Sequence, residues 1–135
     1  MPIGTGDLEP GTRSGWVAAI LCRDHWYSLV MVCVAVLYPN ESGKKFDHEY
    51  YARTHMPLVM NRCKRFGLIR YEIDRGLSGG APGSAAPFIS TGRLYFSSLD
   101  EFQKAMEAHG AEIMADVQNY TDIQLQIQVS QMTPS

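Results

Sequence analysis

The run Phe46-Asp-His-Glu-Tyr-Tyr-Ala-Arg-Thr-His-Met-Pro-Leu58 is the densest gathering of titratable side chains in the chain. On a helix each residue turns about 100°, so Asp47, Tyr51 and His55 fall on one stripe at i, i+4 and i+8. An imidazole with a phenol one turn away makes a general acid/base pair, because histidine titrates near neutrality. Pro57 follows His55 by two positions. It removes a backbone donor and frees the carbonyl of Arg53, so the spacing predicts a kinked, widened helix around Arg53–Met56. The competing reading is structural: His55 packs or caps at the kink and Tyr51 fills the core. A second group is His109, closing a predicted helix, with the polar turn Asn119-Tyr120-Thr121 beyond it. His109 is equally a dipole-stabilised helix end, and the turn is equally turn chemistry around a buried tyrosine. His25 and His48 read as surface residues.

Other chemistries lack a pattern. His48-Glu49 has no histidine at the spacing of a zinc-protease helix, and no Cys/His group has finger spacing, so no metal is expected. No Gly-x-Ser-x-Gly elbow is present. The glycines of residues 76–83 match neither the dinucleotide fingerprint nor a phosphate loop. Nothing therefore calls for flavin, nicotinamide or nucleotide. The 7 methionines are spread along the chain and read as core filler.

The elements that must position these residues follow from periodicity. Met31–Tyr38 is continuously apolar and rich in valine, a strand buried on both faces and stopped by Pro39-Asn40. Asp47 is an N-cap, and Phe46 with Tyr51 could form a hydrophobic staple. The helix then runs from about His48 to Arg65, with Gly67 as its stop. Leu68–Arg75 alternates, with Ile69, Tyr71 and Ile73 opposite Arg70, Glu72 and Asp74. A Gly/Pro/Ala loop leads to a strand Phe88–Phe96, in which Gly92 marks a bulge or a close approach. Ser98 and Glu101 form a capping box for a helix ended by Gly110. A short helical piece, Ala111–Val117, precedes a last strand, Asp122–Ser130, whose Ile123, Leu125, Ile127 and Val129 alternate with glutamines.

The order βαββαβ is the ferredoxin-like split βαβ arrangement, an α+β fold with a four-stranded antiparallel sheet and helices on one face. Because Met31–Tyr38 is apolar on both sides, the second face should be covered, and a symmetric dimer packed sheet to sheet would do so. The glutamine row and the Arg70/Glu72 row make that cover partly polar.

Composition bounds the function. The 135 residues make one domain, and 12 basic against 14 acidic residues give a net charge of −2. A basic nucleic-acid platform is excluded as a simple reading, and 10% aromatics argue against disorder. Cys22, Cys33 and Cys63 are an odd set with no CxxC, which reads as idle thiols in a reducing, cytoplasmic setting. The apolar run Trp16–Cys22 is interrupted by Arg23-Asp24-His25, too short to span a membrane and preceded by acids rather than a basic signal region. The expected organisation is an extension at 1–30, a domain at 31–132 and a tail at 133–135.

The strand ending Leu37-Tyr38-Pro39, then Phe46-Asp47, Tyr50-Tyr51, His55-Met56-Pro57-Leu58 and Gly67-Leu68, resembles the EthD family. So does His109-Gly110-Ala111-Glu112-Ile113, with Asp116 and Asn119-Tyr120-Thr121 after it. The resemblance runs from Met31 to about Met132. It implies a dimeric α+β barrel of ferredoxin-like protomers. The family is named for a bacterial ether-degradation gene cluster in which its member accompanies a cytochrome P450 system. The wider superfamily includes muconolactone isomerases, cofactor-free quinol-forming monooxygenases, polyketide cyclases and haem-handling proteins. The resemblance makes His55 the catalytic candidate with Tyr51 and Asp47 beside it, and His109, Asn119 and Tyr120 candidates for substrate binding. The expected function is an oxidoreductase of the cofactor-independent monooxygenase type, or an isomerase/cyclase. Its partners would be a small hydrophobic, aromatic or polyketide-like molecule and a second copy of the chain, with no nucleic acid and no membrane. Two other readings stand beside it: a non-catalytic binding or stress protein using the same cavity, and haem binding through His55 or His109.

Overall fold

Strand β1 (Val32–Pro39) is the axis of the sheet. The structure is a computed structural model and describes residues 30–133. The extension expected at 1–30 lies outside the described residues except for Val30, and so do Cys22 and His25. The remaining elements are a composite helix α1 (48–66), β2 (Leu68–Arg75), β3 (Phe88–Phe96), α2 (Leu99–Val117) and β4 (Gln126–Gln131). The strand order is β2-β3-β1-β4, antiparallel throughout, with both helices on one face. This is the ferredoxin-like α+β arrangement.

Alternation in β1 sorts the two faces. Val32, Val34, Val36 and Tyr38 meet the helices, while Cys33, Ala35 and Leu37 point to the outer face. Register places Leu37 beside Gln126 and Ala35 beside Gln128, so the glutamine row lies on the outer face. Arg70, Glu72 and Asp74 of β2 lie there too, opposite Tyr95, Arg93 and Thr91. Arg70 bonds Glu72 and stacks 4.0 Å above the Tyr95 ring, and Asp74 holds Thr91 and Arg93.

Helix α1 starts as the sequence dictates. The Asp47 carboxylate accepts the Tyr50 N–H at 3.0 Å, and Phe46 packs edge-on to Tyr51. Its middle, Tyr51–His55, is a turn of π-helix, in which the Met56 N–H reaches back five residues to the Tyr51 carbonyl. The α-helical Met56–Cys63 then carries Pro57 in its first turn, where its missing donor leaves no gap. A 3-10 turn ends at Gly67, whose φ of 97° suits glycine.

Three expectations need correction. Gly110 does not end a helix: α2 runs unbroken from Leu99 to Val117. Its apolar stripe, Phe102, Ala105, Met106, Ile113 and Val117, continues straight through that position, and its burial outweighs the roughly 1 kcal/mol that glycine costs a helix. The last strand begins at Gln126 rather than Asp122, because Thr121 forms an isolated bridge with Phe46 instead. Ile69 does not join the buried row of β2. The register shifts between Leu68 and Arg70, and Ile69 is left 50% exposed.

Gly92 is a close approach rather than a bulge, since a Cβ there would collide with the Tyr51 hydroxyl. Gly92→Ala is expected to lower stability by about 1–3 kcal/mol. The check is a fall in the urea midpoint at constant slope. Pairing it with Tyr51→Phe, which deletes the colliding oxygen, should restore part of the loss; equal losses with and without that oxygen would show that Tyr51 is not the obstacle.

Candidate functional site

Between the sheet and the two helices lies a partly open pocket of about 60 Å³. Its walls include Val34 and Val36 from β1, Leu94 from β3, Val59 from α1, and Phe102 and Met106 from α2. Among the described residues, Tyr38, Tyr51 and His55 are the only lining side chains that carry a nitrogen or oxygen atom. Burial pushes all three phenols of Tyr38, Tyr51 and Tyr120 well up, so they stay protonated. Tyr38 and Tyr120 share a hydrogen bond at 2.6 Å, and the Tyr51 ring stacks on His55 with 5.8 Å between centroids.

His55 is 4% exposed and sits at the end of the π-turn. Its Nδ1 lies 2.8 Å from Oδ2 of Asp116, in the last turn of α2. The other carboxylate oxygen, Oδ1, accepts from the Tyr50 hydroxyl at 2.7 Å and from the Asn119 amide at 2.9 Å. In an α-helix residues five apart lie about 140° apart. The π-turn's i→i+5 closure brings Tyr50 and His55 onto nearly one face, so both reach the same carboxylate.

Loops fix the two helices at this point. The Asp47 N–H donates to the Tyr120 carbonyl at 2.8 Å, and the Thr121 hydroxyl donates to the Lys45 carbonyl at 2.6 Å. The start of α1 is thereby tied to the end of α2, and Asp116 is held opposite His55.

The charges of the pair follow from its surroundings. Burial alone would raise the Asp116 carboxyl, but the donors His55, Asn119 and Tyr50 outweigh it and hold it below the ordinary 3.8. An ionised carboxylate only accepts, so Nδ1 of His55 carries the proton and donates it. For His55, burial is the largest influence and lowers its pKa below 6.5, while Asp116 opposes that shift without cancelling it. At neutral pH the imidazole is neutral, and its Nε2 carries a lone pair with no hydrogen-bond partner among the described residues. A carboxylate that fixes the tautomer and stabilises the imidazolium is the arrangement by which proteins make histidine a base.

Of the residues singled out from sequence, the fold brings His55, Tyr51, Tyr120 and Asn119 together. Tyr120 packs with its ring 4.6 Å from His55. Asp47 caps the helix that carries Tyr51 and His55 and spends its carboxylate there. His109 stands two turns before Asp116, edge-on to Phe66 and 3.7 Å from Glu112, and does not line the pocket. Asp116 and Tyr50 were not assigned a role by spacing. One local signal was available for Asp116: an acid in the last turn of a helix opposes the dipole and calls for a compensating partner.

Among the described residues no group of three or more potential ligands could hold a metal ion, and no helix is long and apolar enough to cross a membrane.

The EthD domain model matches residues 40–124. Among solved structures the chain is similar to an EthD-like protein from Ralstonia eutropha JMP134, at 38% identity over 78% of this chain and 95% of that one, with a TM-score of 0.74. It is also similar to an ethyl tert-butyl ether d (EthD) family protein from Bacillus halodurans C-125, at 21% identity over 76% of this chain and 99% of that one, TM-score 0.53. A third likeness is to SnoaB, a cofactor-independent oxygenase from Streptomyces nogalater, at 9% identity over 79% of this chain and 96% of that one, TM-score 0.51. The last two show the fold alone. No curated protein matches the sequence. With a domain match over more than half of the chain and a 38% identical relative aligned along nearly its whole length, the chain belongs to the EthD family.

Proposed function

We propose that this EthD protein is a cofactor-independent acid/base enzyme acting on a small hydrophobic, aromatic or polyketide-like compound. The observation that carries this reading is the buried His55, oriented by Asp116, as the one basic group among the described residues on the wall of an apolar pocket. Nε2 takes a proton from a phenolic O–H or from a C–H beside a carbonyl, and Asp116 stabilises the imidazolium. In oxygenase chemistry the substrate anion supplies the electrons and O2 is the oxidant. In an isomerase or cyclase the same anion is reprotonated or closes a ring. SnoaB, which shares the fold, is a cofactor-independent oxygenase, and this supports the first branch. Tyr51 and Tyr120 form the wall behind the imidazole, Asn119 steadies Asp116, and Asp47 acts only by starting the helix. The direct test offers purified protein a panel of quinols, lactones and polyketide-like compounds, following oxygen uptake and product mass. Absence of any turnover across the panel counts against the enzyme reading.

The outer sheet face supports a homodimer, with Ala35 and Leu37 on its central strand and the charged pairs Arg70–Glu72 and Arg93–Asp74 beside them. Light scattering at micromolar concentration is expected to give the mass of two chains, and Leu37→Asp to halve it. A monomeric parent protein would remove the dimer from the proposal. A reducing cytoplasmic setting suits the free, buried Cys33 and Cys63; burial pushes the Cys63 thiol up to about 11 and leaves it unreactive.

A further inference from the structure

The inner pocket is too small for the substrates proposed for it. An apolar cavity that holds benzene measures about 150 Å³, against about 60 Å³ here. A second cavity, about 480 Å³ and open to solvent, lies beside it. Met114, Val117 and Leu125 line both. The two therefore adjoin along these side chains.

The partition is made of side chains that can repack. Met114 is 48% exposed, and methionine is the most adaptable apolar side chain. Leu125 lies between the Phe46–Thr121 bridge and the start of β4, outside the sheet's ladder. The outer cavity differs in chemistry from the inner one: its walls include Gln118, Thr121, Asp122 and Gln124. Asp122 accepts the Lys45 N–H and Thr121 donates to the Lys45 carbonyl, which ties both to the loop. The amides of Gln118 and Gln124 are exposed and have no hydrogen-bond partner among the described residues.

We infer that the two cavities form one binding tract for an elongated amphipathic substrate, its apolar reacting head at His55 and an uncharged, hydrogen-bonding tail along Gln118 and Gln124. The inference rests on the acid/base reading of His55 and names the substrate class of that same site. The combined tract falls within the roughly 300–1,000 Å³ of small-molecule sites, which the inner pocket alone does not. The Asp122 carboxylate, held ionised chiefly by the Lys45 backbone N–H, disfavours an anionic tail.

The test uses the full chain with phenol and a series of 4-(ω-hydroxyalkyl)phenols of increasing chain length. Phenol, admitted where Met114 and Leu125 give way, is expected to perturb the His55 ring resonances and leave the Gln118 and Gln124 side-chain amides unmoved. Longer members should perturb both sets and bind at least about tenfold more tightly than phenol. Gln118→Ala with Gln124→Ala should bring the ratio of long-chain to phenol affinity toward that of the plain 4-alkylphenols. A wild-type ratio near one, or glutamine amides that never respond, overturns the tract while phenol at His55 keeps the acid/base reading. Long members that move the glutamines without touching His55 overturn both, as does a failure of every member to bind.

Discussion

His55→Gln is expected to reduce kcat/KM by about 10²- to 10⁴-fold on any substrate the parent protein converts. That range corresponds to about 2.7–5.5 kcal/mol of transition-state stabilisation. Glutamine is chosen because it keeps most of the side-chain volume and can still donate to Asp116. His55 is buried against Tyr51 and Tyr120, so truncation to alanine would confound chemistry with a cavity and an orphaned carboxylate. The loss should fall on kcat rather than KM, because the pocket's apolar walls hold the ground state and the imidazole acts on the proton in flight. Circular dichroism and the melting temperature establish that the variant is folded. Turnover within twofold of the parent, by a folded His55→Gln protein, removes His55 from the chemistry.

The part of this site that the sequence discloses is the part fixed by local periodicity. His55, Tyr51 and the Asp47 cap lie within one helical stretch, and Pro57 announces that the helix must depart from ideality there. The order of strands and helices is legible for the same reason, since alternation in β1 and the Ser98 cap of α2 are local signals. What decides the chemistry is not local. Asp116 is 61 positions from His55 and meets it only because the loops at Lys45 and Thr121 tie two helix ends together. Tyr50 lies on the wrong side of an ideal helix for His55, and only the π-turn brings it round. The errors in the fold have the same origin. Glycine at position 110 is a stop signal in isolation, but the stripe from Phe102 to Val117 packs across it. Ile127 and Val129 alternate with the glutamines, yet on the edge strand they stay 51% and 38% exposed. The missing information in each case is which distant surface meets the element.

Asp116→Asn separates the orienting charge from the shape of the site. The side chain keeps its size and can still accept from Tyr50, but it can no longer stabilise an imidazolium. In the parent protein burial lowers His55 and the carboxylate partly restores it, so removing the charge should lower His55 further. NMR titration of His55 reads this directly, and a His55 pKa that rises in the variant would contradict the dyad. Activity should fall by about 10²-fold, with about 10⁴-fold as the outer bound known for removing a triad's carboxylate. Its dependence on pH should keep the sign expected of the parent, rising as His55 loses its proton, but with the rise displaced to lower pH. Stability follows the same groups. Between 6.5 and the lower folded value of His55, the unfolded chain binds a proton that the folded chain refuses, so stability is greatest above 6.5 and declines as pH falls. Asp116 adds its own contribution above 3.8, lost as pH drops through its depressed folded value. In Asp116→Asn this second loss disappears, while the first extends to lower pH because His55 resists protonation longer. Urea unfolding across the acid range should therefore show a His55 decline that continues to lower pH in the variant and lack the parent's Asp116 contribution below 3.8; two superimposable curves would mean that the carboxylate and imidazole are not coupled.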